Sequence, residues 1–135
     1  MSSFLELSTA GWGQVDRKTP VAVRTLDDFC REQSIETIDI LKSDTQGYDL
    51  DVFKGASGAM ARHAIRQIYF EVIFSDMYKG IPSFDQTYRF LIEHGFLLVA
   101  FYRFHFQSGI AGWSDVLFVD GEHHRRYVAD NGGRS

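Results

Sequence analysis

Four stretches of the sequence have the hydrophobic pattern of β-strands. Ile38 to Ser43 opens with an apolar run, and Ile65 to Phe74 is rich in β-branched and aromatic residues with no glycine or proline. Such side chains favour strands over helices. Phe96 to Phe106 and Asp115 to Val119 complete the set, separated by a short gap at Gln107 to Ser114. Because that gap is short enough for a hairpin, we expect the last two strands to be antiparallel.

Helical spacing of apolar residues occupies the segments between these strands. Leu26, Phe29 and Cys30 lie three to four residues apart, which places them on one helix face, and Thr25 is a suitable N-cap. This helix is expected to end near Ser34. The other predicted helices run from Tyr48 to Lys54, from Ser57 to His63, and from the Ser83 cap through Phe84, Tyr88, Leu91 and Ile92 to just before Gly95.

The alternation of strands and helices predicts an α/β fold in one domain, with helices on both faces of the sheet and a C-terminal antiparallel hairpin. The core is expected at residues 21–120, with residues 121–135 as a polar tail. Ser2 to Leu7 is a further candidate edge strand, and Val21 and Val23 suggest a strand that leads into the first helix. Gly11 to Gly13 is interpreted as a surface turn.

Composition and charge narrow the classes of partner. The chain has 135 residues, is 44% hydrophobic and carries a net charge of −4, so it should bury a core and should not attract nucleic acid or a membrane surface. The aromatic run Phe101 to Phe106 is therefore interpreted as a strand packed on both faces. The single cysteine, Cys30, and the lack of a signal-peptide pattern predict a cytoplasmic protein. No metal site is predicted, because the histidines in His123 to Arg126 are adjacent and point in different directions.

The stretch Ile38 to Ala56 is the centre of the predicted chemistry. It reads as a strand, a loop broken at Gly47 and a helix, and Asp44 lies at the strand tip. The loops at the carboxyl ends of strands collect functional groups in open α/β sheets. Glu71 ends the next strand and faces the same crevice if the two strands are parallel. Asp44 is a candidate to bind or deprotonate a substrate hydroxyl, or alternatively to cap the following helix.

Five segments, in the same order and with compatible spacing, resemble the C-terminal half of FkbM-family methyltransferases. The resemblance covers about a hundred residues, from Val21 to Asp120. The matching segments are TLDDF at 25–29, LKSDTQGYDLDVFKGA at 41–56, IYFE at 68–71, HGF at 94–96 and DVLFV at 115–119.

The resemblance implies a partial Rossmann-like, class I methyltransferase sheet, S-adenosylmethionine as cofactor and a small-molecule or sugar hydroxyl as methyl acceptor. It places Asp44 beside the cofactor and substrate pocket as the catalytic residue. Gln46 stands where the family usually has glutamate, in a loop that otherwise reads D-V-E-G. The remaining expected pocket residues are Lys42, which shares a strand face with Asp44, together with Gly47, Tyr48 and Glu71.

The family's glycine-rich loop and ribose-binding acid have no counterpart in the sequence, so the cofactor-binding residues stay unassigned. The resemblance therefore implies strands four to seven of the family sheet without strands one to three. Ile38 to Ser43 is then expected to be a sheet edge that pairs with a copy of the chain, with its own N-terminal segment, or with a missing N-terminal half. The alternative to a methyltransferase is a catalytically inactive remnant that serves as a binding or assembly module.

Overall fold

The computed structural model describes residues 19–75 and 79–132, which contain a four-stranded sheet and its flanking helices. The predicted edge strand at Ser2 to Leu7 and the turn at Gly11 to Gly13 lie outside the described residues. In chain order the elements are α1 (Leu26–Glu32), β1 (Ile38–Ser43), α2 (Asp49–Lys54), α3 (Ser57–Ala61), β2 (Ile65–Ile73), α4 (Phe84–Glu93), β3 (Phe96–Gln107), β4 (Ile110–Asp120) and α5 (Gly121–Asp130).

The strands lie in the order β1-β2-β4-β3, with β1 and β2 parallel and every other pair antiparallel. Ile38 is level with Ile65, and Ser43 is level with Phe70. The parallel arrangement of the strands that end near Asp44 and Glu71 is therefore confirmed. It brings the carboxyl ends of β1 and β2, where Asp44 and Glu71 lie, to the same edge of the sheet.

Helices α1 to α4 lie on one face of this sheet, so the predicted helix layers on both faces are wrong for the described residues. Phe53 of α2 packs edge-on against Phe70, Tyr88 of α4 packs against Phe118, and Phe70 stacks on Phe118. Both parallel crossovers, β1 to β2 and β2 to β3, step in the same direction across the sheet. Because such crossovers are almost always right-handed, both place their helices on the same face.

The core fills the space between this face and the helices. Asp27 of α1 accepts hydrogen bonds from the backbone N–H groups of Gly58 and Ala59, which ties α1 to the start of α3. Thr25 caps α1 as predicted, and Ser83 caps α4 in a capping box with Gln86. The largest fully buried side chains are Phe53, Phe96, Phe118, Met60, Ile65, Ile68, Leu91 and Val116.

The opposite face, called the open face below, carries the alternate residues of each strand. Ile40 is 61% exposed there, so the apolar run of Ile38 to Ser43 is not buried on both faces. Leu97 and Tyr102 of β3 are 44% and 42% exposed. β3 is likewise not packed on both faces, since Phe104 and Phe106 are also exposed.

The last two strands meet in a turn at Ser108 and Gly109, both of which have positive φ. A two-residue turn with this backbone matches the twist of an antiparallel pair. β4 therefore begins at Ile110, and the loop expected at Gln107 to Ser114 is mostly strand. The apolar residues at the start of β4 lie on both faces of the sheet. The segment therefore lacks the alternation of apolar and polar residues that would have predicted a strand.

Two terminal segments differ from expectation. Residues 21–25 form no strand or helix, and Val21 and Val23 are largely exposed. The polar tail is helical from Gly121 to Asp130, because the buried carboxylate of Asp120 accepts hydrogen bonds from the backbone N–H groups of Glu122 and His123 and so caps α5. His123 donates from its ring to the carbonyl oxygen of His63, so it is not a solvated tail residue.

Candidate functional site

The loop between β1 and α2 is fixed by a buried carboxylate. Ser43 donates from its hydroxyl to Oδ1 of Asp49 at 2.5 Å, and the backbone N–H of Thr45 donates to the same oxygen at 3.4 Å. α2 has no side-chain cap, so the alternative in which Asp44 caps this helix is wrong. The side chain of Asp44 is instead about half exposed, at the carboxyl end of β1. It is therefore accessible to a ligand.

Gln46 joins the two acids at the strand ends. Its backbone has a φ of 54°, a left-handed conformation that non-glycine residues rarely adopt. Its side-chain amide donates to Oδ1 of Asp44 at 2.9 Å and lies 3.3 Å from Oε1 of Glu71. One neutral amide thus lies between two carboxylates that would otherwise repel each other. A glutamate at this position could not donate these hydrogen bonds.

The fold favours the neutral form of the Glu71 carboxyl group. Its burial raises the pKa of the carboxyl group, and the nearby carboxylates of Asp44 and Asp115 raise it further, while the hydrogen bond from Gln46 opposes the shift. A carboxylate with a raised pKa is a better proton acceptor near neutral pH than an ordinary one. Perturbed carboxyl groups of this kind are typical of functional sites.

A small cavity lies behind the acids, under the N-terminus of α4. It encloses about 30 Å³, enough for water but not for an organic substrate. The hydroxyls of Thr45 and Ser75, which follow β1 and β2, are buried and make no hydrogen bond. The cavity is lined by Gly47, Asp49, Leu50, Phe70, Glu71, Val72, Ile73, Ile81, Pro82, Phe84 and Thr87.

The structure brings together most, but not all, of the predicted site residues. Asp44, Gln46 and Glu71 are in contact, and Lys42 lies 4.0 Å from Asp44 on the open face. Gly47 lines the small cavity. Tyr48 points elsewhere, into a groove of about 490 Å³ between α2 and the segment before α1. We place the site at the acids rather than in this larger groove, because Asp51 is the one carboxylate in the groove lining and no second acid lies beside it there.

Three residues beside the site were not expected from the sequence. Asp49 fixes the loop, and Asp115 of β4 lies opposite Glu71 in the sheet. The carboxylate of Asp115 lies on the same face as Tyr69 and is the main cause of a raised pKa of the Tyr69 hydroxyl. The sequence shows Asp115 as an acid at the start of an apolar strand. Its proximity to Glu71 depends on a strand pairing that the sequence does not reveal.

Neither a metal-binding cluster nor a glycine-rich nucleotide loop occurs in the described residues. Within 19–75 and 79–132, no group of three or more His, Cys, Asp or Glu side chains could hold a metal ion. In those ranges, too, no loop with more than one glycine connects a strand to a helix, so a glycine-rich phosphate or nucleotide loop is not among them. No helix in the described part of the chain is long and apolar enough to cross a membrane.

Comparison with known proteins gives a consistent result. The model of the family described as "Methyltransferase FkbM domain" matches residues 2–98. The 2-O-methyltransferase NoeI of Sinorhizobium fredii is 32% identical over 94 residues, which are 62% of this chain and 38% of that protein. The chain therefore matches well under half the length of this relative. No solved structure matches the chain.

Proposed function

Because this chain belongs to the FkbM methyltransferase domain family, we propose that it forms the acceptor side of an S-adenosylmethionine-dependent O-methyltransferase. The acceptor would be a hydroxyl of a small molecule or a sugar. The observation that carries the proposal is the pair of carboxylates, Asp44 and Glu71, held by the amide of Gln46 at the carboxyl ends of two parallel strands. Carboxylates placed in this way can accept the proton of a hydroxyl.

We further propose that the sheet is the later part of a Rossmann-like, class I methyltransferase sheet. The strand order β1-β2-β4-β3, with antiparallel pairing confined to β4, supports this assignment. In this arrangement β1 to β4 are strands four to seven of the complete fold. The polar groups then lie at the carboxyl ends of the parallel strands, where ligands bind in open α/β sheets.

In the proposed reaction the protein positions the acceptor and removes its proton. Asp44 accepts a hydrogen bond from the acceptor hydroxyl, and this orients one oxygen lone pair away from the protein. The carboxylate would take the proton that the hydroxyl loses on methylation, and the methyl donor would leave as S-adenosylhomocysteine. S-adenosylmethionine, when bound, supplies the methyl group with the electron deficiency of its sulfonium. Most of the rate enhancement then comes from holding the reactants together in the correct geometry.

The described residues fit the sulfonium end of S-adenosylmethionine but not its nucleoside end. Three carboxylates close together, those of Asp44, Glu71 and Asp115, favour a positively charged sulfonium nearby. No glycine-rich loop for the nucleoside occurs within residues 19–75 and 79–132. For this reason we assign no residue to the nucleoside and derive no geometry for the cofactor.

Replacement of Asp44 with Asn tests the proposal. With radiolabelled S-adenosylmethionine and a set of hydroxylated acceptors, we expect the turnover of the variant to fall by at least about 100-fold, because the amide cannot take the proton. Asp39→Asn is the matched control, since Asp39 is an exposed acid on the same strand, paired with Arg66 on the surface. Equal turnover of the Asp44 variant and the wild type would remove Asp44 from the mechanism.

A second candidate function is a binding or assembly module without catalysis. It is favoured by Gln46, which removes an acid from the family's usual loop, and by the small size of the cavity at the acids. Calorimetry with S-adenosylhomocysteine separates the two. Saturable heat of binding, above the heat of dilution of the ligand into buffer, supports the enzyme. No heat of binding at millimolar ligand supports a module that does not hold the cofactor unaided.

We also propose that the free edge of β1 is a pairing surface. β1 has one sheet neighbour among the described residues, so the other side of its backbone carries N–H and C=O groups without strand partners there. Such an edge is a template for a further strand. The partner is the chain's own N-terminal segment, a second copy of the chain, or a separately made first half of the methyltransferase fold.

A further inference from the structure

We infer that the methyl acceptor carries an aromatic ring, which stacks on a group of phenylalanines beside the acids. The group, called the aromatic shelf below, consists of Phe74, Phe84, Phe101 and Phe104. This inference rests on the proposed function, because it names a part of the acceptor other than the hydroxyl that is methylated.

The rings of the shelf contact one another across the sheet and α4. Phe104 of β3 stacks on Phe74, which follows β2, with ring centroids 6.1 Å apart and ring planes 14° apart. Phe84, at the start of α4, contacts Phe74, and Phe101 contacts both Phe84 and Phe104. Phe74 and Phe104 are 40% and 48% exposed. Two nearly parallel rings are therefore open to a ligand and rest on two further rings.

A bulge in β3 directs Phe104 to the shelf. Arg103 and Phe104 together stand opposite Ser114 of β4, and Arg103 has a left-handed φ of 51°. Regular alternation from Phe101 would place Phe104 on the open face, whereas the bulge turns it to the face covered by the helices. The buried hydroxyl of Ser114 donates to the carbonyl oxygen of Tyr102 at 2.9 Å and so holds the bulge. Bulges and left-handed residues of this kind re-aim side chains next to functional sites.

The shelf lies at the same edge of the sheet as the acids. Both β2 and β3 are antiparallel to β4, so their carboxyl ends lie together. Phe84 lines the small cavity together with Glu71. Phe74 comes three residues after Glu71, which is about 10 Å along an extended chain. A ligand that joins a ring to a hydroxyl over this distance would reach both.

The missing half of the proposed fold does not cover the shelf. β1 and β3 are the two outer strands of the sheet, so strands added to β1 extend away from β3. The shelf also lies on the face covered by α1 to α4, not on the open face. It would therefore stay accessible when the first half is present.

The size and shape of the shelf suit one planar ring. The two exposed rings together offer on the order of 200 Å², whereas a stable protein interface needs about 800 Å² from each partner. Nearly parallel phenylalanine rings can stack on a flat π-system, and this adds to the gain from burying apolar area. A saturated ring of the same size would gain only from burial.

Titration with two neutral probes tests this inference. Diethylene glycol monophenyl ether and diethylene glycol monocyclohexyl ether join a hydroxyl to a ring through the same chain, but only the phenyl ring is flat and aromatic. ¹H–¹⁵N chemical shifts report the contacted residues without any need for cofactor. We expect the phenyl ether to shift the amides of the shelf and to bind about fivefold more tightly than the cyclohexyl ether.

Two variants make the test specific. Phe104→Leu removes an exposed ring but keeps an apolar side chain, so we expect the protein to fold and its binding of the phenyl ether to weaken about fivefold. Phe106→Leu is the matched control, because it is the same substitution on the same strand, at a residue that is 68% exposed and outside the shelf. It should leave binding unchanged.

Several outcomes would overturn the inference. These are equal binding of the two ethers, an equal loss of binding in the two variants, or no shift at the shelf with either ether at its solubility limit. Shelf signals that change with protein concentration alone would also overturn it, because a second copy would then cover the rings.

Failure of the proposed function is a separate result. If the phenyl ether binds the shelf but no hydroxyl is methylated, either by the chain alone or with a candidate first half, the shelf stands and the methyltransferase proposal fails. If turnover depends on Asp44 and neither ether binds, only the aromatic shelf fails.

Discussion

At the residue scale, Gln46 decides how the two acids behave. Its amide donates to Asp44 and lies within hydrogen-bonding distance of Glu71, and the bond to Glu71 lowers the pKa of that carboxyl group against the effect of burial. A side chain that held only one of the acids could not balance both charges. The left-handed backbone at Gln46 directs the amide into this position, and such unfavourable backbone conformations tend to persist where function needs them.

Replacement of Gln46 with Glu should therefore raise the pKa of Glu71 above its value in the wild type. The substitution removes a donor and adds a negative charge beside two carboxylates, so the neutral form of Glu71 is favoured. The shift is measured from the carboxyl ¹³C signals of the glutamates in a pH titration. The signal of Glu93, on the exposed side of α4, is the internal reference. An unchanged or lower pKa at Glu71 would show that Gln46 does not couple the acids.

At the element scale, a single carboxylate organises the end of the fold opposite the site. Asp120 is fully buried at the end of β4, where it caps α5 and accepts a hydrogen bond from the ring of His63 at 2.8 Å. Burial alone would raise the pKa of Asp120. The hydrogen bonds from His63 and from the backbone of His123 outweigh that effect, so the pKa of Asp120 is lowered.

We expect Asp120→Ala to lower the free energy of unfolding by about 2 kcal/mol at neutral pH, because it removes a helix cap and leaves buried donors unpaired. The sign of the pH dependence follows from the lowered pKa. The stabilisation is fully present above the ordinary value of 3.8 and is lost as the pH falls from there through the folded value. Urea unfolding at several pH values measures both effects.

The control for this prediction is Asp39→Ala, which removes an exposed ion pair with Arg66. Surface pairs of this kind contribute little, so a change below about 0.5 kcal/mol is expected. If the difference in stability between wild type and the Asp120 variant stayed constant from pH 7 down to pH 3, the lowered pKa would be wrong. If the two substitutions cost the same, the cap would contribute nothing beyond a surface charge.

At the scale of the whole molecule, α1 to α4 lie on one face, and β1 leaves one side free of strand partners in the described residues. These two features have a common cause, namely crossovers that step in one direction only. Among the residues that the structure describes, the sheet therefore has one edge without a strand partner and one face that α1 to α4 do not cover. The proposed pairing uses the edge.

Self-association through the edge is measured by light scattering coupled to size-exclusion chromatography. If the partner is a second copy, the wild type should elute at about twice the chain mass of 15.4 kDa. Ile40→Lys, which puts a charge on the exposed part of β1, should return it to the monomer. Val23→Lys, at a residue that is 72% exposed and outside any strand, should leave the mass unchanged.

The pairing proposal has an outcome for each partner. The pairing proposal is contradicted for a second copy if the protein is a monomer at every concentration. It is contradicted for a first half if the mass does not increase when a candidate first half is added. Recovery of cofactor binding upon addition of that half would instead identify the partner as the missing part of the fold. In that case Ile40→Lys should prevent the recovery.

The sequence by itself determined the elements whose signals are local. Thr25 and Ser83 were expected as helix caps, and both act as caps, because a cap needs only a side chain within three residues of the backbone that it bonds. β1 and β2 were likewise predictable from composition and from the breaks that bound them. The pairing of their carboxyl ends followed from the alternation of strands and helices, and with it the proximity of Asp44 and Glu71.

Only the tertiary structure decided which faces are covered and which groups meet across strands. The single helix layer depends on the direction in which the crossovers step, and this depends on the strand order. Asp115 and Tyr69 join the site through an antiparallel register that sets residues far apart in sequence side by side. α5 forms because Asp120 is buried against His63, a contact between residues 57 positions apart. Such long-range contacts leave no periodic trace in the sequence, since each depends on the position of the whole sheet.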